Sequence, residues 1–358
     1  MKRKVLAICL SALMVVSLAA CGSKSSTQTT ATSGTEAARE KKEEKIEQIN
    51  FKVSHPRPEG SDNDLLTKKF LKEVQDALGE ERFSYEIYPN NELGDYTVVQ
   101  ESMSMGEIDM CMQSISTNVD QSLTLATAPY LVENWEQAQK LYNTSDGIVS
   151  IYIEEALEKQ NIKLLAMIPK YFNAIATVEE PNDIYNLFGD KKIKMRVPTM
   201  KSYELVAQTL GYQTTPMNWS DVFTSMQTGI IDGCFGGGPE GFYTSIKEVM
   251  KYLILYRNAF EPHWLMMNLD DWNAFTPEEQ SKVSEIAKKL EAQAFADAEV
   301  RDAKYIQMFK DEGINVIEFT DEQIEEISTK VRSEVWPQLE DIFGKEIFDK
   351  IKTELGIN

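Results

Sequence analysis

Histidine is nearly absent from this sequence, since His55 and His263 are the only two among 358 residues. The sequence also contains no HExxH, GxSxG or GxxxxGK[ST] motif. These absences exclude the common zinc-protease, serine-hydrolase and P-loop nucleotide sites. We therefore expect no catalytic residue, no cofactor and no bound metal.

Cysteine is also scarce, with four residues in the chain. Cys9 and Cys21 belong to the N-terminal segment, and Cys111 and Cys234 lie far apart at the ends of strand-like runs. This spacing indicates neither a disulfide framework nor a metal site. We expect Cys111 and Cys234 to be small buried residues.

Long apolar runs are missing after the N-terminus, where three basic residues precede an apolar stretch at 5–16 and small residues at 17–21. This order is typical of a secretory signal, here 1–20, and the stretch is shorter than the roughly 20 residues of a transmembrane anchor, which is the alternative. Leu18-Ala19-Ala20-Cys21 resembles a bacterial lipobox, which implies a lipidated Cys21 at the outer face of the cell membrane. Residues 21–45 lack large apolar side chains after the cysteine and are expected to form a disordered tether.

An excess of basic residues is also lacking, because the formal net charge is -20. Such a chain repels phosphate backbones, so we exclude nucleic acid as a partner. A small anion would also be repelled at long range. An anionic ligand therefore needs a local cation in a sheltered site, where screening is weak.

Periodicity predicts alternating strands and helices from residue 49 onward: strands at 49–53, 83–88 and 107–112, with helices at 65–78 and 95–105. This order is typical of an α/β fold with mostly parallel sheets, and the chain length favours two lobes. We expect a further strand at 162–168, a loop at 169–173, and a crossing into the second lobe at 174–178.

The second lobe is expected to be built on 191–243, as strand, helix, loop, helix, strand and glycine-rich turn. Its segment 225–234, SMQTGIIDGC, matches 102–111, SMSMGEIDMC, as Ser-Met-x-x-Gly-x-Ile-Asp-x-Cys. One explanation is that glycine commonly ends helices. The other is that the two lobes are built on similar units that face each other across a cleft. The run Gly236-Gly237-Gly238 precedes Pro239 rather than a Lys-Ser pair, so we expect a tight turn there instead of a phosphate cradle.

A long helix is predicted from Pro277, because Thr276 is a good N-cap and no helix breaker follows until Gly313. At 1.5 Å per residue this helix exceeds about 45 Å, which is longer than one lobe. We expect it to bridge both lobes. Thr320 is predicted to cap the next helix.

Arg196 is the strongest binding candidate, because a guanidinium grips a carboxylate with two parallel hydrogen bonds. A structural ion pair with one of the many acids is the alternative. Trp219 precedes a helix at a turn, where its indole either packs on a ligand or joins the core. His55 follows the first strand, at the edge where α/β sheets bind ligands.

Four motifs resemble a known family, the DctP-type solute-binding proteins of tripartite ATP-independent periplasmic (TRAP) transporters. They are YPNNELG at 88–94, MGEIDM at 105–110, KMRVP at 194–198 and QTGIIDG at 227–233. The resemblance covers 46–351. It implies a two-lobed periplasmic-binding-protein-like fold that closes on a small organic acid and delivers it to integral membrane permease subunits.

We also expect the following lobe boundaries and site residues. Lobe I is expected at 46–172 plus 259–298, and lobe II at 173–258 plus 299–358. Arg196 matches the family arginine that grips the ligand carboxylate. The remaining expected ligand contacts are Asn173, Trp219, Phe235, Gly236, His55, Tyr171, Asp95 and Ser114.

Two departures from the family pattern concern specificity. Asn173 occupies the place of a second arginine, and Phe235 and Gly236 stand where the family usually has a Q-E-N-P segment. We therefore expect a ligand with one carboxylate and a bulkier or less polar body than a C4 dicarboxylate or a sialic acid. A monomeric transport component is the favoured interpretation, with a ligand-sensing lipoprotein or an enzyme acting on a small acid as alternatives.

Overall fold

Two β-sheets organise the part of the chain that the computed structural model describes, residues 48–356. The predicted signal peptide, Cys21 and the tether lie outside these residues. The first sheet has the order β2-β1-β3-β10-β4. Its strands are β1 (Ile49–Ser54), β2 (Phe83–Tyr88), β3 (Met110–Gln113), β4 (Ile162–Phe172) and β10 (Phe260–Asn268). Only β10 runs against the others.

The second sheet has the order β11-β9-β5-β8-β6-β7. Its strands are β5 (Ile175–Thr177), β6 (Lys194–Val197), β7 (Gln213–Pro216), β8 (Gly233–Phe235), β9 (Tyr252–Ile254) and β11 (Asn315–Ile317). Here only β5 runs against its neighbours. The predicted α/β fold with two mostly parallel sheets is therefore confirmed, and the chain passes between the sheets three times, from β4 to β5, from β9 to β10 and from β10 to β11.

Helices surround both sheets. They are α1 (Asp62–Leu78), α2 (Tyr96–Ser104), α3 (Trp135–Tyr142), α4 (Ile148–Glu158), α5 (Lys201–Thr209), α6 (Val222–Gln227), α7 (Gly238–Ser245), α8 (Leu269–Ala274), α9 (Pro277–Asp311), α10 (Asp321–Phe343) and α11 (Lys345–Leu355). Short 3₁₀ turns lie at Gln121–Thr127, Trp219–Asp221 and Lys247–Val249. Within residues 48–356, no helix is both long enough and apolar enough to cross a membrane.

Helix α9 spans 35 residues, or about 50 Å, and begins with a capping box between Thr276 and Glu279. It packs on α1 and β4 beside the first sheet and also on α7 and β11 beside the second. The buried carboxylate of Glu291 fixes it to the first sheet by accepting hydrogen bonds from the main chain of Thr144 at 2.8 Å and Met167 at 2.9 Å. The predicted bridging helix is confirmed.

The repeated segments 102–111 and 225–234 have the same structure. Each is a helix end, a glycine with positive φ, and a strand that pairs in parallel with the strand two before it in the chain, β3 with β1 and β8 with β6. Asp109 Oδ2 accepts a hydrogen bond from the main-chain N–H of Lys52 at 2.6 Å, and Asp232 Oδ2 accepts one from Lys194 at 3.1 Å. The two sheets therefore contain the same β-α-β-α-β unit, β1 to β3 and β6 to β8, which explains the repeated sequence.

The strand β4 is longer than predicted. The segment 169–173 is expected to be a loop, but β4 continues through Phe172. Pro169 lies opposite Pro262 of β10 at a register shift, so neither missing N–H breaks a regular ladder. The loop prediction is wrong because, in a sequence, a proline at a β-bulge cannot be distinguished from a proline in a loop.

Two strands of the second sheet are not predicted by the sequence. The strand β7 is largely exposed and lacks the alternation of apolar and polar residues. The strand β9 has only three residues, too few to show a period. Pairing with β6 and β5, rather than local pattern, makes these segments strands.

Candidate functional site

A pocket that is partly open to solvent lies where the two sheets meet, with about 490 Å³ of space between atoms, open solvent included. Arg57, Ser114 and Tyr171 reach it from the first sheet, and Arg196, Trp219 and Gly236 reach it from the second. Glu261 and His263 of β10 complete its polar lining. This is the cleft that the sequence predicts between two lobes.

Arg196 is held on β6 with only 1% of its surface exposed. Its Nε donates to the carbonyl of Met217 at 2.9 Å, and its Nη1 donates to the carbonyl of Phe235 at 3.0 Å. Across residues 48–356, no carboxylate forms a salt bridge with it, and Nη2 has no hydrogen bond. The guanidinium is thus oriented by main-chain carbonyls and keeps donors for an anion in the pocket.

Arg57 is a second buried guanidinium in the pocket, with 4% of its surface exposed. It follows β1, and its Nη2 donates to the hydroxyl of Tyr171 at 3.2 Å. Its guanidinium carbon lies 4.7 Å from the ring centroid of Trp219, and that of Arg196 lies 5.6 Å from the same centroid. The indole ring therefore lies near both guanidinium groups, and its quadrupole stabilises their positive charge.

Two glycines allow the side chains of Arg57 and Tyr171 to approach the second lobe. A Cβ on Gly241 would lie 2.5 Å from Arg57 Nη2, and one on Gly238 would lie 2.1 Å from the Tyr171 ring. Gly238 also has φ +54°, which L side chains rarely adopt. The glycine-rich turn thus lets the start of α7 pack directly against the other lobe, as expected of a tight turn.

Glu261 provides a buried acceptor on the same pocket wall. Its Oε1 accepts from Ser114 Oγ at 2.6 Å, and its Oε2 accepts from the Tyr203 hydroxyl at 2.6 Å. Asn173 Nδ2 in turn donates to that hydroxyl at 2.6 Å. Burial raises the pKa of Glu261 above its usual value, while these donors oppose the shift.

His263 lies beside Glu261 in the lining and is fully buried. Its Nδ1 is 2.7 Å from Asn63 Oδ1, whereas its Nε2 has no hydrogen-bond partner within the described chain. Burial lowers the pKa of this imidazole well below its ordinary value. The ring is therefore neutral at physiological pH.

Five of the nine predicted ligand contacts line the pocket: Arg196, Trp219, Gly236, Tyr171 and Ser114. Three others lie behind its wall and support it. Asp95 Oδ2 accepts from the Trp219 main-chain N–H at 3.1 Å, Asn173 holds Tyr203, and Phe235 supplies the carbonyl that orients Arg196.

The fourth residue outside the pocket is His55, which is buried with its Nε2 3.2 Å from Asp64 Oδ1. Burial lowers its pKa in spite of this carboxylate. The sequence rule places the binding edge correctly after β1, but Arg57, two residues further on, is the side chain that reaches the pocket.

Arg57, Glu261 and His263 are among the pocket residues that sequence reasoning missed. Arg57 stands between two prolines in the loop already singled out, so its position was a usable signal. Glu261 and His263 lie on β10, which is buried along its whole length. No alternation of polar and apolar residues distinguishes a pocket-facing side chain there.

The two cysteines of the folded part, Cys111 and Cys234, are free and buried, as expected. Cys234 Sγ lies 4.0 Å from Arg196 Nη1. Between residues 48 and 356, no cluster of three or more histidine, cysteine or acidic side chains is suited to a metal ion.

Comparison with known proteins gives consistent results. The family model of DctP, the bacterial extracellular solute-binding proteins of family 7, matches residues 53–341. The chain is 23% identical to the C4-dicarboxylate-binding periplasmic protein DctP of Rhodobacter capsulatus over 299 residues, covering 81% of this chain and 87% of the relative.

Two solved structures have the same fold. A TRAP periplasmic solute-binding protein of Polaromonas sp. JS666 bound to D-erythronate has a TM-score of 0.76 and 21% identity, covering 85% of this chain and 98% of that one. The sugar acid binding protein DctPAm of Advenella mimigardefordensis, in complex with galactonate, has a TM-score of 0.77 and 18% identity, covering 86% and 97%. The chain therefore belongs to the DctP family of bacterial extracellular solute-binding proteins.

Proposed function

We propose that this protein binds a small organic acid with one carboxylate in the pocket between its sheets and delivers it to the membrane subunits of a TRAP transporter. Arg196 binds the carboxylate. The observation that supports this role is a buried guanidinium held by two main-chain carbonyls and without a salt bridge in the described chain.

The physical argument concerns the cost of burying charge. A guanidinium removed from water without a counterion is unfavourable, and proteins normally pair it with a carboxylate. The pocket contains two such groups, Arg57 and Arg196, and neither forms a salt bridge within residues 48–356. The nearby carboxylates of Asp95, Glu240 and Glu261 offset part of this cost without forming a salt bridge with either guanidinium. A ligand carboxylate bound directly to Arg196 would recover more of it.

The chemistry of related proteins supports the same class of ligand. The proteins with the same fold hold D-erythronate and galactonate, and the Rhodobacter capsulatus relative binds C4 dicarboxylates. All these ligands are small organic acids, and a buried arginine fits the group that they share.

A single carboxylate is favoured by the charges of the pocket. Glu261 lies in the lining, and its carboxylate would repel a second carboxylate placed nearby. Asn173, which stands in the place of a second family arginine, donates to Tyr203 and lends no charge. The pocket therefore suits a monocarboxylate better than a dicarboxylate.

Binding is proposed to shift an equilibrium between open and closed arrangements of the lobes 46–172 plus 259–298 and 173–258 plus 299–358. Only contacts made in the closed state drive closure. Arg57 and Tyr171 come from the first of these lobes and meet Trp219 and Gly238 of the second. Separation of the lobes would break these contacts.

The location follows from the lipobox-like sequence at Cys21. A lipid on this cysteine and the tether to residue 45 would keep the folded part at the outer face of the cell membrane, close to its permease. We propose that it acts there as a monomer.

Isothermal titration calorimetry with the purified protein tests the proposed function. The ligands are a panel of small acids that includes succinate, malate and larger monocarboxylates. We expect at least one monocarboxylate to bind with micromolar or tighter affinity. Tight binding of succinate or malate without binding of any monocarboxylate would reject the assignment of one carboxylate, and failure of every acid would reject the function.

A further inference from the structure

Two buried side chains of opposite charge meet where β4 of the first sheet packs against α7, which follows β8 of the second. Lys170 Nζ lies 2.8 Å from Glu240 Oε1 and 2.6 Å from Glu240 Oε2. Lys170 is 1% exposed and Glu240 is 2% exposed, and neither lines the ligand pocket. Because the attraction between two buried charges often fails to offset their desolvation, a gain in stability is a poor explanation of this pair.

Arg57 approaches the same turn of α7 from the pocket. A Cβ on Gly241, the residue after Glu240, would lie 2.5 Å from Arg57 Nη2 and 2.9 Å from the guanidinium carbon. The guanidinium therefore lies against the main chain next to Glu240. Its Nη2 donates to the Tyr171 hydroxyl, but across residues 48–356 it forms no salt bridge.

The contacts of Lys170 explain why Arg57 and Glu240 remain unpaired. A buried guanidinium next to a buried carboxylate ordinarily forms a bidentate pair. Here both carboxylate oxygens of Glu240 contact the ammonium of Lys170. Burial alone would raise the pKa of Glu240, but the attraction of Lys170 and Arg57 lowers it overall. Glu240 is therefore an anion that attracts Arg57.

We propose that Lys170 is a positioning residue for ligand binding, because its ammonium binds the carboxylate of Glu240 and so leaves the guanidinium of Arg57 free for the anionic ligand. This inference rests on the proposed function, since it takes an anion in the pocket as given. Without the ammonium, Glu240 competes with the ligand carboxylate for Arg57. Lys170 thus changes affinity through Arg57 and not by touching the ligand.

A single and a double variant test this competition. Lys170→Met removes the charge and keeps the apolar stem, so Glu240 is expected to pair with Arg57 and the dissociation constant of a bound acid to rise about tenfold or more. Lys170→Met/Glu240→Gln also removes the competing carboxylate, and its affinity is expected to return to near the wild-type value. A purely structural role would make the double variant at least as weak as the single one.

The probes are D-gluconate, hexanoate and succinate, and the one that binds wild type most tightly by calorimetry is used throughout. Lys163→Met and Lys163→Met/Glu154→Gln are the matched controls, because Lys163 pairs with Glu154 at the other end of β4, outside the pocket. Both controls are expected to bind as wild type does. Circular dichroism and thermal unfolding without ligand establish that each variant is folded.

The pH dependence of binding is a test that needs no substitution at Lys170. Burial lowers the pKa of Lys170 to about 8, although Glu240 opposes the shift. Above this pKa the lysine is neutral and no longer neutralises Glu240. The affinity of wild type for the ionised acid is therefore expected to fall as the pH rises through about 8. Glu240→Gln has no competing carboxylate and should show no such fall.

Other charged and titratable groups surround this ion pair. They are the arginines Arg57 and Arg301, the histidines His55 and His263, the tyrosines Tyr171 and Tyr305, and the carboxyls Glu261 and Asp302. Burial lowers the pKa of both histidines and raises the pKa of both tyrosines, away from this range. Burial raises the pKa of Asp302 to about 7 and also raises that of Glu261. A fall in affinity caused by either carboxyl would persist in Glu240→Gln.

A crystal structure of ligand-free Lys170→Met gives a readout that does not depend on any acid. We expect it to contain a salt bridge between Arg57 and Glu240, and an unpaired Arg57 there would overturn the inference.

The binding outcomes separate this inference from the proposed function. If no acid binds wild type, the proposed function fails and this inference fails with it. If Lys170→Met binds as tightly as wild type, or if Lys170→Met/Glu240→Gln stays as weak as the single variant, the function stands and the inference is wrong. A fall in affinity with pH that persists in Glu240→Gln contradicts it as well.

Discussion

The guanidinium carbon of Arg57 lies 4.7 Å from the ring centroid of Trp219. Arg57 follows β1 of the first sheet, and Trp219 follows β7 of the second. The contact therefore joins the two halves of the cleft within the lining of the pocket. Arg196 approaches the same indole, so a ligand carboxylate would meet two cations that one aromatic ring positions.

Removing Arg57 should weaken ligand binding. Arg57→Ala deletes one pocket cation and its contacts with Trp219 and Tyr171, and we expect the dissociation constant of a bound acid to rise about tenfold or more. Calorimetry measures this change. Lys72→Ala, which removes an exposed lysine paired with Asp76 on α1, is the matched control for net charge. Equal effects of the two variants would show that Arg57 acts only through long-range charge.

Replacing Arg196 by lysine should weaken binding by more than about tenfold, or 1.4 kcal/mol. Lysine keeps the charge but loses the planar fork and the bonds to Met217 and Phe235. Arg82→Lys is the control, because Arg82 grips Glu279 far along the sequence and does not line the pocket. Equal affinity of Arg196→Lys and wild type, measured by calorimetry, would show that the fork does not hold the ligand.

Gly238→Ala should impair closure of the cleft. The new Cβ would lie 2.1 Å from the Tyr171 ring, so this ring must move away from the pocket. Gly313→Ala is the control, since its φ is also positive at +79° but a Cβ there meets no atom within 4 Å. Each substitution is expected to cost about 1–3 kcal/mol of stability from backbone strain. Only Gly238→Ala should also lower ligand affinity, and equal affinities would contradict this role of the glycine.

The ion pair between Arg82 and Glu279 should make stability depend on acid pH. The hydrogen bond from Arg82 lowers the pKa of Glu279 from 4.5 to about 2. Because the folded-state pKa is depressed, the stabilisation is complete above about pH 4.5 and is lost as the pH falls toward 2.

Urea unfolding across this pH range compares wild type with Glu279→Gln. The difference in unfolding free energy is expected to shrink as the pH falls from 4.5 toward 2. Glu278→Gln, in the same helical turn but with an exposed side chain, should differ little from wild type at any pH. A pH-independent difference for Glu279→Gln would contradict the assignment.

The full-length protein should partition with membranes through Cys21. Cys21→Ser removes the thiol that the lipobox-like sequence offers for lipidation, so we expect the protein to leave the membrane fraction of a bacterial host. Fractionation and mass spectrometry of the mature N-terminus measure this. Membrane association that survives Cys21→Ser would show that the N-terminal apolar stretch itself is the anchor.

Much of the fold follows from local sequence patterns. Thr276 and Thr320 begin α9 and α10 with capping boxes because their side chains and the residues three positions later satisfy free main-chain groups. Strands with a clear period were predicted to within a few residues. Exposed β7 and short β9 were missed, because only pairing with neighbouring strands makes them regular.

Some residues of the candidate site were identified from the sequence, and others were identified only from the tertiary structure. The sequence by itself determined Arg196 and the glycine-rich turn, because an isolated arginine after a buried strand and a run of three glycines are visible without coordinates. The tertiary structure decided that Arg57 and not His55 reaches the pocket, and that Phe235 contributes its carbonyl rather than its ring.

The tertiary structure alone also selected Glu261 and His263. The bulge where Pro169 faces Pro262 sets the register of β4 against β10 and places Tyr171 opposite Glu261. Register decides which face of a strand each side chain occupies, and a shift of one residue reverses every face. A fully buried strand shows no alternation from which sequence could infer that register.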